Sequence, residues 1–137
     1  MSPSSSRVEL TIDPAKETFS GVIEIKLDVR KTAQTVWLNA NKILVQTASI
    51  TAGGTIRSGK AVPGNDDYLA LDFLSPLPAG ASTLSIHYTG SIRKGGSAGV
   101  FLAEDAGRRY VLTQFEATHA RDAFPCFDDV LLLCAVY

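Results

Sequence analysis

The sequence predicts an all-β fold, an antiparallel β-sandwich, and three observations carry that expectation. Apolar and polar residues alternate with a period of two through most of the chain. Clusters of Gly, Pro, Asn and Asp fall between the alternating runs. No window of about 11 residues places apolar side chains at i, i+3 and i+4, as an amphipathic helix requires.

The elements follow in order. Residues 1–6, rich in serine, read as a disordered polar N-terminus. In RVELTID, Val8, Leu10 and Ile12 alternate with polar residues, and Asp13-Pro14 with AKETFSG reads as a turn. In GVIEIKLDV, Ile23, Ile25, Leu27 and Val29 alternate with Glu24, Lys26 and Asp28, so one face packs and the other is wet. These first two strands are expected to form an antiparallel hairpin. TVWLNA and ILVQTASIT supply a third and a fourth strand, with Trp37 expected in the core. YLALDF alternates through Leu69, Leu71 and Phe73, and TLSIHYTG through Leu84, Ile86 and Tyr88, which leaves His87 on the surface. Between them SPLPAGA reads as a loop, and the later RKGGSAG as a mobile hairpin loop. A last strand runs through Tyr110 and Leu112 toward Phe115, and Pro125 bars its continuation as a central strand.

With 137 residues, a single domain or a piece of one is expected, and a composition of 45% hydrophobic and 20% charged residues is globular. A formal charge of −1 gives no general attraction to nucleic acid or to an anionic membrane. The opening MSPSSSR lacks the apolar stretch of a secretory signal, so a cytoplasmic location is expected. VLLLCAVY, residues 130–137, is shorter than the ~20 residues a membrane-spanning helix needs, so no membrane segment is expected. Cys126 and Cys134 match neither a redox pair nor a zinc-finger pair and read as unpaired thiols, Cys126 as a small buried hydrophobe.

Chemistry concentrates in TQFEATHARDAFPCFDD, residues 113–129. Gln114 and Glu116 are two apart, so on an extended backbone they share a face, and an amide beside a carboxylate suits a ligand amine. Taken alone, Glu116 reads more readily as a solvated strand carboxylate. Arg121 and Asp128 read as an internal ion pair or turn contacts. No catalytic or metal-ligating set can be assembled: His87 and His119 are the only histidines, H-E-x-x-H is absent, and Ser97 lacks a nucleophile-elbow pattern.

This stretch resembles the segment TQFEATDARRAFPCFDEP that closes the N-terminal β-domain in zinc aminopeptidases of the aminopeptidase N and puromycin-sensitive aminopeptidase family. LTIDPAKETFSGVIEIKLDV, TVWLNANKI, PLPAGASTLSIHYTG and GVF resemble that domain's strands and turns in the same order, over about residues 7–129. The resemblance implies a saddle-like β-sandwich that lines the substrate pocket with Gln114 and Glu116, the glutamate binding the free α-amine of a peptide's N-terminus. It also implies zinc, held in the full-length family enzyme by H-E-x-x-H on a downstream catalytic domain, and so no cofactor in this chain.

Two positions depart from the family pattern: its aspartate is His119 here and its second arginine is Asp122, and neither is assigned a role. The resemblance ends at Asp129, where an apolar tail, 130–137, replaces the family's continuing strands. The expectation is therefore the N-terminal domain of a zinc metalloaminopeptidase, truncated before its catalytic domain, incomplete at its C-terminal end, poorly folded by itself and inactive alone. The alternative is a non-enzymatic β-sandwich that binds peptides or a protein partner.

Overall fold

The computed structural model describes residues 2–63, 67–116 and 118–127. The described strands are β1 (Ser2–Thr11), β2 (Thr18–Val29), β3 (Ala33–Asn39), β4 (Leu44–Ala52), β5 (Thr55–Pro63), β6 (Tyr68–Leu77), β7 (Gly80–Ser91), β8 (Arg93–Lys94), β9 (Gly99–Asp105) and β10 (Arg108–Gln114). Among the described residues the one helical element is a single 3-10 turn, His119–Asp122. The all-β expectation holds, and the main sheet is antiparallel throughout. Seven strands form a curled sheet in the order β1-β2-β7-β4-β5-β6-β3, and three form a small sheet, β10-β9-β8.

The spine is the β2–β7 pair, in unbroken antiparallel register from Thr18 opposite Ser91 to Val29 opposite Gly80. Its alternation is the one visible in the sequence: Ile23, Ile25, Leu27 and Val29 of β2 and Leu84, Ile86 and Tyr88 of β7 are all buried, and His87 is exposed. Each such Ile or Leu removed from water is worth about 1.5–3 kcal/mol. The predicted hairpin also forms, with Val8 opposite Ile23 and Leu10 opposite Gly21.

The sheet curls because two strand pairs turn one corner together. Val29 ends β2 opposite Gly80, Ala33 begins β3 opposite Leu77, and only short links join Val29 to Ala33 and Leu77 to Gly80. The two halves of the sheet thus face each other as the layers of a sandwich do. Val36, Leu38, Leu71 and Phe73 from one half and Ile23, Ile25, Leu84 and Ile86 from the other share a single core.

Four sequence expectations are corrected, and one further strand is present. Residues 2–6 are not a disordered lead but the first half of β1, with Ser2 opposite Asp28 and Ser6 opposite Ile25, because the free edge of β2 offers them backbone partners whatever their side chains. Trp37 is 59% exposed, since Val36 and Leu38 point inward and the residue between them must point out. Most of SPLPAGA is strand: Ser75, Pro76 and Leu77 end β6, and Pro76 is tolerated where β6 has run past its last pairing with β5 and its register with β3 shifts. RKGGSAG does not close a hairpin, because β8 and β9 pair in parallel, Arg93 with Phe101 and Lys94 with Leu102. Finally, β5 was absent from the sequence reading, although the Gly53-Gly54 turn that joins it to β4, with φ values of 59° and 75°, is a strong two-residue hairpin signal.

Candidate functional site

The small sheet delivers the candidate residues. β9 and β10 are joined by Ala106-Gly107, both at positive φ (51° and 76°), which fixes a tight register running to Gln114 opposite Gly99. β10 stops at Gln114, so the extended-backbone expectation covers that residue and not Glu116, which lies in the turn that follows. The two are nevertheless tied: the Glu116 backbone N–H donates to Gln114 Oε1 at 3.0 Å. Both side chains are exposed, and no described cation pairs with the Glu116 carboxylate. Its charge is open to a ligand.

Past Glu116 the chain no longer follows strand periodicity and is held by tethers. The His119 N–H donates to the Phe115 carbonyl (3.0 Å), closing one helical turn, and the Phe115 and Phe124 rings meet edge to face at 5.7 Å. Ala123, Phe124 and Cys126 are buried in the main core, as expected for Cys126. Asn39 and Cys126 exchange two backbone hydrogen bonds of 2.7 and 2.9 Å, and the Asn41 N–H donates to the Arg121 carbonyl at 2.9 Å. Arg121 also reaches Asp67 at 3.4 Å, and its suggested partner Asp128 lies outside the described residues, as does Cys134.

A buried side-chain tether comes from β7, an interior strand of the main sheet. Tyr88 donates its hydroxyl to the Ala123 carbonyl at 2.8 Å. Burial, and secondarily the nearby Cys126 thiol, pushes the Tyr88 phenol far above the usual tyrosine range. Its ring lies over Gly21, where an added Cβ would sit 2.4 Å from Tyr88 Cζ, so glycine is required opposite it.

Asp122, to which the sequence reading gave no role, is the one buried acid among the described residues, at 8% exposure. Its Oδ2 accepts from Arg93 Nη2 and from His119 Nδ1, each at 3.0 Å. A buried carboxylate is tolerated only with such partners. The available signal was that His119 and Asp122, three apart, reverse the charge order of the family's aspartate and arginine.

No group of three or more His, Cys, Asp and Glu side chains among the described residues is placed to hold a metal ion. The zinc implied by the family resemblance does not fit here: His87 stands exposed on β7 and His119 is engaged with Asp122. A cleft of about 550 Å³ opens between the β1–β2 turn and the small sheet, walled by Lys16, Glu17, Lys94, Leu102, Glu104 and Arg109. In it Lys94 pairs with Glu17 and lowers that carboxyl's pKa through their hydrogen bond. A second, of about 530 Å³, involves Asn41, Lys42, Arg93 and Asp122. Neither has Gln114 or Glu116 in its wall. No helix among the described residues is long and apolar enough to cross a membrane.

Comparison with known proteins gives a consistent result. Residues 2–129 match the Peptidase M1 N-terminal domain family. The chain is 30% identical over 128 residues to Aminopeptidase M1-D of Oryza sativa subsp. japonica, covering 90% of this chain and 15% of that protein. It is 30% identical over 122 residues to Aminopeptidase M1 of Arabidopsis thaliana, covering 82% and 14%, and 27% identical over 123 residues to Leucyl aminopeptidase of Saccharolobus solfataricus, covering 90% and 14%. The chain therefore spans about 15% of the length of the curated relatives it matches.

Proposed function

We propose, for a chain that belongs to the Peptidase M1 N-terminal domain family, that it serves as the substrate-anchoring part of a zinc metalloaminopeptidase, an enzyme that removes N-terminal residues from peptides. Glu116 binds the substrate's free α-amine and Gln114 stands beside it. The single observation that supports this reading most is the tethered, exposed pair itself: a carboxylate with no cationic partner among the described residues, its backbone bonded to the Gln114 amide, in the stretch that resembles the family's amine-binding segment.

The chemistry suits the role. An α-amine with a pKa near ~8 is largely protonated at neutral pH, and a charge-assisted hydrogen bond to it contributes about 1.5–3 kcal/mol. A blocked N-terminus leaves the carboxylate without its partner, so the same residue selects free N-termini. The sequence has no H-E-x-x-H and no metal-binding group lies among the described residues, so water activation would belong to a catalytic domain that this chain would adjoin, and the 137-residue chain by itself is expected not to hydrolyse peptides.

Grafting residues 2–127 in place of the corresponding domain of a relative such as the rice Aminopeptidase M1-D tests the reading. Glu116→Gln in an active graft is expected to lower kcat/KM on aminoacyl amides about 10- to 100-fold. An unchanged kcat/KM would sink the anchor role. Chelator-sensitive turnover by the isolated chain, lost on Glu116→Ala, would overturn the assignment of catalysis to another domain.

A further inference from the structure

Asp122 links its own 3-10 turn to two strands, β8 and β9, beside the candidate site. Arg93 reaches it from β8 and His119 from the 3-10 turn, both on the same oxygen, Oδ2. Its Cβ lies 2.8 Å from where a side chain on Gly99 would begin, and Gly99, at φ 70°, is the cross-strand partner of Gln114. His119 in turn is bonded through its backbone to Phe115, the residue between Gln114 and Glu116.

We infer that Asp122 is the positioning residue of the amine anchor, an inference that rests on the reading of Gln114 and Glu116 given above. Through Gly99 it sets the end of β10 from which Gln114 projects. Through His119 it sets the turn that carries Glu116. Arg93 balances its charge, so the clamp is strong in a buried setting and rigid in direction, since one carboxylate oxygen receives both donors. Among the described residues Arg93 and His119 are the charged or titratable side chains that bond it, and the Asp122 side chain occupies the space that a Cβ on Gly99 would need. The family's aspartate and arginine at the positions of His119 and Asp122 carry the opposite charge order.

The test uses the full 137-residue chain, labelled for NMR. In the unaltered protein, backbone order parameters at Phe115 and Glu116 are expected near the rigid value of about 0.85, and in Asp122→Asn below about 0.6, with the amides of β2 and β7 unchanged. His119→Ala, a change at a half-exposed side chain, is expected to loosen the same two residues to a lesser degree and serves if Asp122→Asn does not fold. A general loss of stability would move β2 and β7 as well. Equal order at Phe115 and Glu116 in the unaltered chain and both variants overturns the inference.

Titration with leucinamide, against N-acetyl-leucinamide as control, separates this inference from the reading beneath it. Amide shifts at Glu116 with leucinamide alone, lost in Asp122→Asn, support both. Loosening in the variant without any leucinamide shift in the unaltered chain supports the positioning role and counts against the amine anchor. Shifts that persist unchanged in Asp122→Asn, with Phe115 and Glu116 still rigid, overturn the positioning role and leave the anchor standing.

Discussion

The curled sheet and the stretch from Phe115 to Phe127 are built on different principles. In the sheet, position follows from period: a residue is inside because its neighbours two away are inside, and the β2–β7 register carries twelve consecutive rungs of that rule. In the stretch after β10, position follows from individual bonds to three strands and a loop: Tyr88 of β7 to Ala123, Asn39 of β3 to Cys126, Asn41 of the β3–β4 loop to Arg121, and Arg93 of β8 to Asp122. The first region tolerates drift in any one side chain's identity provided it stays apolar and similar in size. The second is specified by particular atoms, so its identity is tied to a few residues far away in sequence.

The comparison is broken most severely from the sheet side. Phe73→Ala empties a fully buried position and is expected to cost about 3–5 kcal/mol in chemical denaturation, with every probe affected together. Gly21→Ala forces a methyl into the Tyr88 ring, which its bond to Ala123 holds in place, and about 1–3 kcal/mol should be lost. A neutral result there would show that the ring can retreat and that the tether is soft.

Tyr88→Phe sharpens the contrast, because it leaves the sheet's packing intact and removes a bond to the site stretch. About 1–3 kcal/mol is expected, from the Ala123 carbonyl left without its donor. Hydrogen exchange should rise around Ala123 and Phe124 before it rises in β2. The same residue predicts an alkaline limit. With its folded pKa raised by burial, its contribution is complete below pH ~10, where a free tyrosine titrates, and is lost as the pH climbs beyond that. Thermal melts of Tyr88→Phe should lack this alkaline component.

The smallest effect is a gain. Ala106 sits at φ 51°, a left-handed conformation that costs an alanine about 1 kcal/mol, so Ala106→Gly should stabilise the β9–β10 turn by up to that amount. If melting falls instead, the turn is not under backbone strain.

Most of the sheet was legible in the sequence because burial on one face of a strand writes itself as alternation; Ile23 to Val29 is the clearest case. β5 was not legible for the converse reason. It has no buried side-chain row: Ile56 is 71% exposed and Val62 43%, while Gly59 lies beneath the Phe73 ring. Its neighbours in the sheet make it a strand, and the Gly53-Gly54 turn alone announced it. Trp37 was misplaced by residue type where the period, read strictly, points it outward. At the candidate site, Gln114 and Glu116 are singled out by their two-residue spacing and by the resemblance, but the mutual bond that joins them and the clamp at Asp122 are not legible in the sequence. Those depend on where β8 and β9 come to rest, and that is tertiary information.

The order in which the β2 partners appear along the chain has a consequence for synthesis. β1 precedes β2 directly, but β7, its partner on the other edge, begins only at Gly80, after β3 to β6 have been made. At roughly 5–20 residues per second, the apolar β2 edge waits for seconds before its permanent neighbour leaves the ribosome. A sheet whose central seam joins distant segments folds slowly, on the millisecond-to-second scale of high contact order. The nascent β1–β2 hairpin is thus the segment that holdase chaperones would be expected to meet first.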